Sequence, residues 1–279
     1  MFKTMKKIIR NMVMIFKEEK KIPIPNPINA PELLKGKVAL ITGGSGGIGF
    51  AMAESFIKSG AKVIIAGTSE EKLQKCLEKL GGVQASSIVI DVLNVKSLPE
   101  KIKLAAAIFP ENRIDILVNS AGVVSHSDFL NMSEQEYDSI MDINAKGTFF
   151  MSQAVAKYMI ENRIKGHILN VTSSSALRPA WTPYQMSKWA VRGFTLGAAD
   201  KLLPYGIVVN AIAPGPTATP MLGRNEGDSI YHPNTPAKRY AMASEIAALA
   251  TFMVSDMGDM IVGDTFYMTG GSGTITLHG

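Results

Sequence analysis

Cysteine is almost missing from this chain: Cys76 stands alone among 279 residues. An internal disulfide is therefore excluded, and so is a cysteine-based metal cluster, which leaves a reducing, cytoplasmic setting compatible. Histidine is scarce as well, at positions 126, 167, 232 and 278, with none of the spacing that ligand pairs use. No metal site is expected. No apolar run reaches the roughly 18 residues that a membrane span needs. Charge of one sign is also lacking over most of the length, since residues 36–279 hold 21 basic and 21 acidic side chains. Nucleic-acid binding would want a basic stripe on the folded body, and none is indicated.

The whole net charge of +5 comes from residues 1–35, which carry eight Lys/Arg against three Glu. Within residues 1–21, Phe2, Met5, Ile9, Met12 and Phe16 recur at helical steps with Lys3, Lys6, Lys7 and Arg10 between them. This pattern predicts a basic amphipathic helix. Two partners stay open for it: an anionic membrane surface, or a protein surface on its own fold or a sister subunit. Residues 22–31, IPIPNPINAP, read as a stiff extended linker. The chain thus divides into a leader, 1–33, and one domain, 34–279.

With 46% hydrophobic and 19% charged residues, that domain has the composition of a globular fold with a large core. Short apolar runs rich in branched residues alternate with longer apolar-periodic segments. Strands are predicted over 38–42, 62–67, 87–91, 114–119, 167–172, 207–213 and 261–268. Helices are predicted over 50–59, 69–80, 98–109, most of 132–162, and from Pro183 onward. Uniformly apolar strands alternating with helices imply an α/β fold with a seven-stranded parallel sheet covered on both faces. Ligands in such sheets bind beyond the carboxyl ends of the strands.

The first strand runs straight into GGSGGIG, residues 43–49. Gly44, Gly46 and Gly49 satisfy G-x-G-x-x-G between a strand and a helix. There glycines permit a tight turn and let a pyrophosphate approach the helix N-terminus. The fingerprint also wants an acidic residue at the end of strand two to bind a ribose 2′-hydroxyl. Gly67, Thr68 and Ser69 stand there instead. Two hydroxyls and a helix N-terminus suit a 2′-phosphate, so NADP(H) is expected over NAD(H).

Tyr184 and Lys188 follow a serine cluster at 173–175. With Pro183 in the first turn of a helix, they are i, i+4 neighbours on one face. A neighbouring ammonium favours the phenolate, which predicts a lowered tyrosine pKa and proton exchange near neutral pH.

Taken together, these stretches resemble the short-chain dehydrogenase/reductase family over residues 36–273. Thr42-Gly43-Gly44-Ser45-Gly46-Gly47-Ile48-Gly49 resembles its TGxxxGIG turn, and Asp91-Val92 its DV pair beside the adenine ring. Asn119-Ser120-Ala121-Gly122 resembles NNAG with one Asn replaced. Asn144 matches the helical asparagine of the catalytic tetrad, Tyr184 and Lys188 match YxxxK, and Pro214-Gly215-Pro216-Thr217-Ala218-Thr219 resembles PGxxxT. The resemblance implies a doubly wound Rossmann fold and hydride transfer between nicotinamide and a carbonyl or secondary alcohol.

It also implies roles for the matched residues. Tyr184 exchanges the proton, and Ser173 donates to the substrate oxygen. Lys188 holds nicotinamide-ribose hydroxyls. Asn144 holds a break in its helix and a relay water, and Thr217 meets the carboxamide. Two departures stand out. Ser173 lies only 11 residues before Tyr184, a loop two residues shorter than usual, which leaves Ser174 as an alternative. The leader has no counterpart in the family's core pattern.

Residues 221–241 fall where the family places its substrate lid, and their mix of Gly, Pro and charge predicts poor order without a ligand. Trp181, Met221, Leu222 and Tyr231 are candidates for an apolar pocket, with His126, Arg178 and Arg224 as polar contacts. Sugar, steroid, acyl thioester and small ketone all stay open as substrates. The family's habits imply a homo-oligomer, tetramer or dimer, through helices over 137–162 and 183–204. A cofactor-binding sensor or scaffold without chemistry is the competing reading, disfavoured because Asn144, Tyr184 and Lys188 are all present. For the leader, sedimentation with anionic vesicles separates the two partners. Pelleting that depends on residues 1–30 marks a membrane surface, and equal pelleting of a truncated chain overturns that reading.

Overall fold

The structure, a computed structural model, describes residues 32–225 and 227–275. The leader helix over 1–21 and the linker over 22–31 lie outside the described residues. The elements are β1 (Val38–Thr42), α1 (Gly47–Lys58), β2 (Lys62–Gly67), α2 (Glu70–Leu80), β3 (Ala85–Val89) and α3 (Leu98–Ala106). There follow β4 (Ile116–Asn119), α4 (Glu134–Met141), a π-helical segment (Asp142–Gly147), α5 (Thr148–Glu161) and β5 (His167–Val171). The remainder is α6 (Pro183–Leu202), β6 (Val208–Pro214), β7 (Thr217–Ala218), β8 (Ala241–Met242), α7 (Ala243–Met253) and β9 (Thr265–Met268).

Seven strands form one sheet in the order β3-β2-β1-β4-β5-β6-β9, every pair parallel. Parallel strands need crossovers, and the crossover helices cover both faces. That is why β1 and β6 are buried at every position. Period-two alternation divides them between two cores. Leu40, Ile64, Ile168 and Val209 pack with Leu98, Ile102, Met151 and Val155 on one face. Ile41, Ile65 and Ile212 pack with Met52, Phe56, Leu73 and Ile246 on the other.

The seven predicted strands are all there, with shifted ends. The third ends at Val89 rather than 91, because Asp91 turns out of the sheet and accepts a hydrogen bond from Leu93 N at 2.9 Å. The seventh starts at Thr265 rather than 261, because Gly263 at φ +74° turns the chain just before it. One feature had no signal in the pattern: β7 and β8 pair as a separate two-stranded sheet. They clasp the two ends of the 221–241 segment together.

The long helix predicted over 132–162 is broken. Ser133 caps α4 by accepting from Glu136 N, and the π segment then offsets α4 from α5. π turns often mark functional positions, and Asn144 is inside this one. Gly147 closes the segment against Val92, leaving no room for a side chain: a Cβ there would come within 2.7 Å of Val92 Cγ2. A Gly147→Ala substitution gains about 1 kcal/mol of helix propensity but forces a stiff β-branched neighbour aside at about 1–3 kcal/mol. The expected net result is a destabilised protein, read as a lower urea midpoint with an unchanged slope.

Candidate active site

The site is built where the sheet order reverses, between the carboxyl ends of β1 and β4. Thr42, the last residue of β1, is buried and ties the two ends together. Its Oγ1 accepts from Ser120 N at 3.2 Å and Ala121 N at 3.3 Å and donates to Val118 O at 3.3 Å. Gly43 follows at φ +62°, and a Cβ on it would sit 2.8 Å from the Ala121 backbone. The turn is then closed by Gly49, where a Cβ would meet Gly43 O at 2.5 Å.

Gly46 caps α1 with no side-chain hydrogen bond, and the first turn of that helix has no acidic residue. Its leading amides therefore face a cleft of about 580 Å³ walled by Ser45, Gly46, Gly47, Ile48 and Gly49. Unsatisfied amides and the positive end of a helix dipole suit an anion, and the backbone is bare enough to let a pyrophosphate close in. A dinucleotide fits this cradle.

Of the other residues expected at a cofactor, Gly43, Gly122, Tyr184, Lys188, Pro214, Gly215, Thr217 and Thr219 also line the cleft. The rest stand behind or beside it. Asn119 is buried beneath the wall, with Nδ2 donating to Ser152 Oγ at 2.8 Å and Asn170 Oδ1 at 2.9 Å. Val92 is buried against Gly147, and Ala121 contributes its backbone to the Thr42 contact. Thr42, Asn119 and Val92 thus hold the walls in place with side chains that face inward. Gly67 adjoins the glycine-rich turn near Ser45 Oγ, while Thr68 and Asp91 are exposed at the ends of β2 and β3. Ser69 caps α2 by accepting from Lys72 N, with Glu70 and Glu71 in the same first turn.

The Ser–Tyr–Lys constellation assembles on the opposite wall. Thr182 and Gln185 form a capping box around Pro183, which starts α6 and fixes Tyr184 in its first turn. Lys188 follows one turn on. Ser173, extended just past the end of β5, accepts from Ser175 N at 3.1 Å, and its side chain lies close enough to the Tyr184 phenol to favour its ionised form. Ser174 is equally buried and opens a single helical turn, but it is Ser173 whose side chain acts on the Tyr184 phenol.

The protonation pattern corrects the expectation of a tyrosine made acidic by Lys188. Burial pushes the Tyr184 phenol above its usual value of 10, with the Ser173 hydrogen bond opposing. The ammonium of Lys188 lies 5.5 Å from the centroid of the Tyr184 ring and donates to Val171 O at 3.0 Å. Burial draws Lys188 itself from 10.5 down to about 8. Desolvation favours the neutral form of both groups.

Asn144 is committed on both sides of its amide. Oδ1 accepts from Val123 N at 2.8 Å, and Nδ2 donates to Val123 O at 2.9 Å and Ser187 Oγ at 3.1 Å. Ser187 in turn donates to Tyr184 O at 2.7 Å. Glycine at 122 admits this packing, since a Cβ there would lie 3.2 Å from Asn144 Oδ1 and 3.8 Å from Lys188 Nζ.

Among the substrate candidates, Met221, Leu222 and Arg178 line the cleft, whereas Trp181, Tyr231, His126 and Arg224 do not. Tyr231 bridges to Arg239, and Arg224 stacks on Tyr240 at 5.0 Å. The described residues of the 221–241 segment include internal ties, from Tyr240 N to Ile230 O at 2.7 Å and from Arg239 to Glu245 at 2.7 Å. Wall residues that sequence reasoning missed include Val123, Val124, Ser125, Ser127, Gln185 and Ser272. Gln185 was legible as the fourth residue of a T-x-x-Q capping box. Ser272 carried no signal. Among the described residues, no group of three His, Cys, Asp or Glu is placed to hold a metal ion, and no helix is long and apolar enough to cross a membrane.

Comparison with known proteins places this architecture in a class. The family profile described as short chain dehydrogenase matches residues 37–229. A 3-oxoacyl-[acyl-carrier-protein] reductase FabG of Rickettsia conorii is 35% identical over 243 residues, covering 85% of this chain and 97% of that protein. A gluconate 5-dehydrogenase of Gluconobacter oxydans is 33% identical over 85% of this chain and 95% of its own. A solved 3-ketoacyl-(acyl-carrier-protein) reductase of Brucella melitensis, complexed with NADH, superposes with a TM-score of 0.77 at 30% identity, over 87% of this chain and all of that one. The chain belongs to the short-chain dehydrogenase/reductase family of Rossmann-fold oxidoreductases.

The buried lysine has a measurable signature. Unfolded, Lys188 keeps its proton up to about pH 10.4, and folded only to about 8. Between those values the unfolded state binds more protons, so stability rises with pH across that window, and below about 8 the cost of burying the charge is felt in full. Urea midpoints at about pH 7 and about pH 9.5 should therefore move upward in the native protein relative to Lys188→Met, which carries no titrating group.

Proposed function

We propose that the protein transfers a hydride between NADP(H) and a ketone or secondary alcohol, with Tyr184 as the proton donor and acceptor. The observation that carries this reading is the Ser173–Tyr184 hydroxyl pair, with Lys188 beside it, facing the glycine-rich turn across one cleft. The turn over 43–49 would hold the cofactor's pyrophosphate, Lys188 its nicotinamide ribose and Thr217 its carboxamide. Bound there, the cofactor supplies or takes the hydride.

The remaining work falls to the chain's own groups. A phenol pushed above its usual pKa is fully protonated at neutral pH, as a donor to a forming alkoxide must be. Ser173 presents its hydroxyl where charge gathers on the substrate oxygen. Lys188 sits near its titration point at slightly alkaline pH, so it can pass a proton on without a large energetic step. Asn144 positions Val123 and the start of α6. Its main-chain carbonyl accepts from Thr148 Oγ1 at 2.8 Å and has a second lone pair for a relay water.

The preference for NADP(H) rests on the absence of a carboxylate at 67–69, the turn where a 2′-phosphate would lie; Glu70 and Glu71, one residue on, count against it. A homo-oligomer is supported by the half-exposed Phe149, Met186 and Trp189 on the outer faces of α5 and α6. A non-catalytic cofactor sensor would have no use for the Ser173–Tyr184 contact.

Tyr184→Phe should bind NADPH as the native protein does and lose roughly 10²–10⁴ in kcat toward a panel of ketones. Near-native turnover would overturn the role of Tyr184. A higher kcat/KM with NADH than with NADPH would overturn the cofactor assignment.

A further inference from the structure

Among the described residues, the cleft is lined by only two charged side chains, Lys188 and Arg178, and by no carboxylate. Lys188 is buried, with its ammonium given to Val171 O. Arg178 is in a different state. It has five N–H donors, yet its guanidinium makes one hydrogen bond, from Nη2 to Ser272 Oγ at 2.8 Å, and no ion pair with any described carboxylate.

Its backbone is nonetheless anchored. Arg178 N donates to Ser175 O at 3.2 Å, and Arg178 O accepts from Trp189 Nε1 at 2.9 Å. Gly273, at φ +89°, leaves space beside the side chain, where a Cβ would come within 3.1 Å of Arg178 Nε. The result is an exposed guanidinium at the cleft wall, tied at one nitrogen and with donors to spare, five residues along the chain from Ser173. Met221 and Leu222, both about half exposed, supply apolar wall in the same cleft.

A guanidinium on the wall of a cleft that no carboxylate lines attracts a planar or tetrahedral oxyanion, which its fork can bind through two N–H groups. The hydroxyls of a neutral polyol or a sterol would draw only single hydrogen bonds from it, weaker than the paired, charge-assisted contact with an oxyanion. We propose that Arg178 anchors an anionic substituent of the substrate. The natural substrate is then an oxo compound, or the corresponding hydroxy compound, that carries a carboxylate or phosphate group away from the reacting carbon. Arg178 is a specificity-determining residue in this scheme and takes no part in the proton or hydride steps. The inference rests on the hydride-transfer reading for the identity of the reacting group.

The test measures binding separately from turnover. The NADPH-bound full chain is titrated, by cofactor fluorescence, with straight-chain oxo acids and with their methyl esters. A second pair is an oxoacyl thioester of pantetheine with and without its phosphate. The native protein should bind the anionic member of one pair at least about tenfold more tightly, the worth of one charge-assisted contact at a partly solvated site. Discrimination in the first pair assigns a carboxylate, and in the second a phosphate. Arg178→Gln should abolish the discrimination while leaving affinity for the neutral member unchanged. Arg178→Lys should restore part of it, as a point charge without the fork.

Equal binding of both members of both pairs by the native protein overturns the proposal. So does a preference that survives in Arg178→Gln. A mere tether to Ser272 would lower the melting temperature of Arg178→Gln and leave the anionic preference intact, which also overturns it. Anion-selective binding with no turnover of any substrate would sink the hydride-transfer reading and leave the Arg178 assignment standing. Turnover of neutral ketones with no anionic preference would do the reverse.

Discussion

Everything in the site depends on how closely the ends of β1 and β4 approach each other. The sheet reverses its order at this point, so no crossover helix fills the space beyond these strand ends. Two atoms' worth of room decides the geometry. The Thr42 hydroxyl gathers two amides and a carbonyl of the neighbouring strand end, and Gly43 puts bare backbone against Ala121. With that contact made, the amides that begin α1 open on one side of the cleft and Ser120 with residues 122–125 form its next wall. A side chain at 43 would push the two apart by more than any flexible neighbour could absorb.

The second constraint is desolvation. Tyr184 and Lys188 are placed where water reaches them poorly, and the effect on their protons is opposite in sign but common in cause: each is held toward its neutral form. Coulomb attraction to the ammonium would act the other way on the phenol. It is outweighed because Lys188 Nζ is directed to the Val171 carbonyl and faces the ring rather than the hydroxyl. Ser173, by contrast, favours the phenolate and partly offsets the burial. Asn144 and Ser187 behind the pair are engaged in hydrogen bonds, which keeps their geometry narrow. From Asn144 a chain of hydrogen bonds runs through Thr148 and Ser152 to Asn119 and Asn170, tying the π segment to the centre of the sheet.

That chain also explains the uneven legibility of the site. Motif spacing identified Asn119, Asn144, Tyr184 and Lys188, yet it could not say which of them face the cleft. Asn119 was read as a cofactor contact and lies in the core, because its amide has two partners, Ser152 and Asn170, that are 33 and 51 residues away. Ser272 joins the wall from near the end of the chain by way of Arg178. The clasp of β7 with β8 brings together positions more than twenty residues apart with only two residues each, too short for any periodic signal.

The sequence by itself determined the class of fold, the order of its seven strands along the chain and the glycine-rich turn. Those features are local: burial on both faces makes a strand uniformly apolar, and a tight backbone turn demands glycine, so each is written in a few adjacent residues. It also singled out Tyr184 and Lys188, because helical spacing alone puts them on one face. Only the tertiary structure put Ser173 rather than Ser174 beside the tyrosine, reversed the expected shift of the tyrosine, and left Arg178 lining the cleft with no carboxylate partner among the described residues. Those outcomes depend on distance, burial and the partners brought in from remote segments. None of these is a property of neighbouring residues.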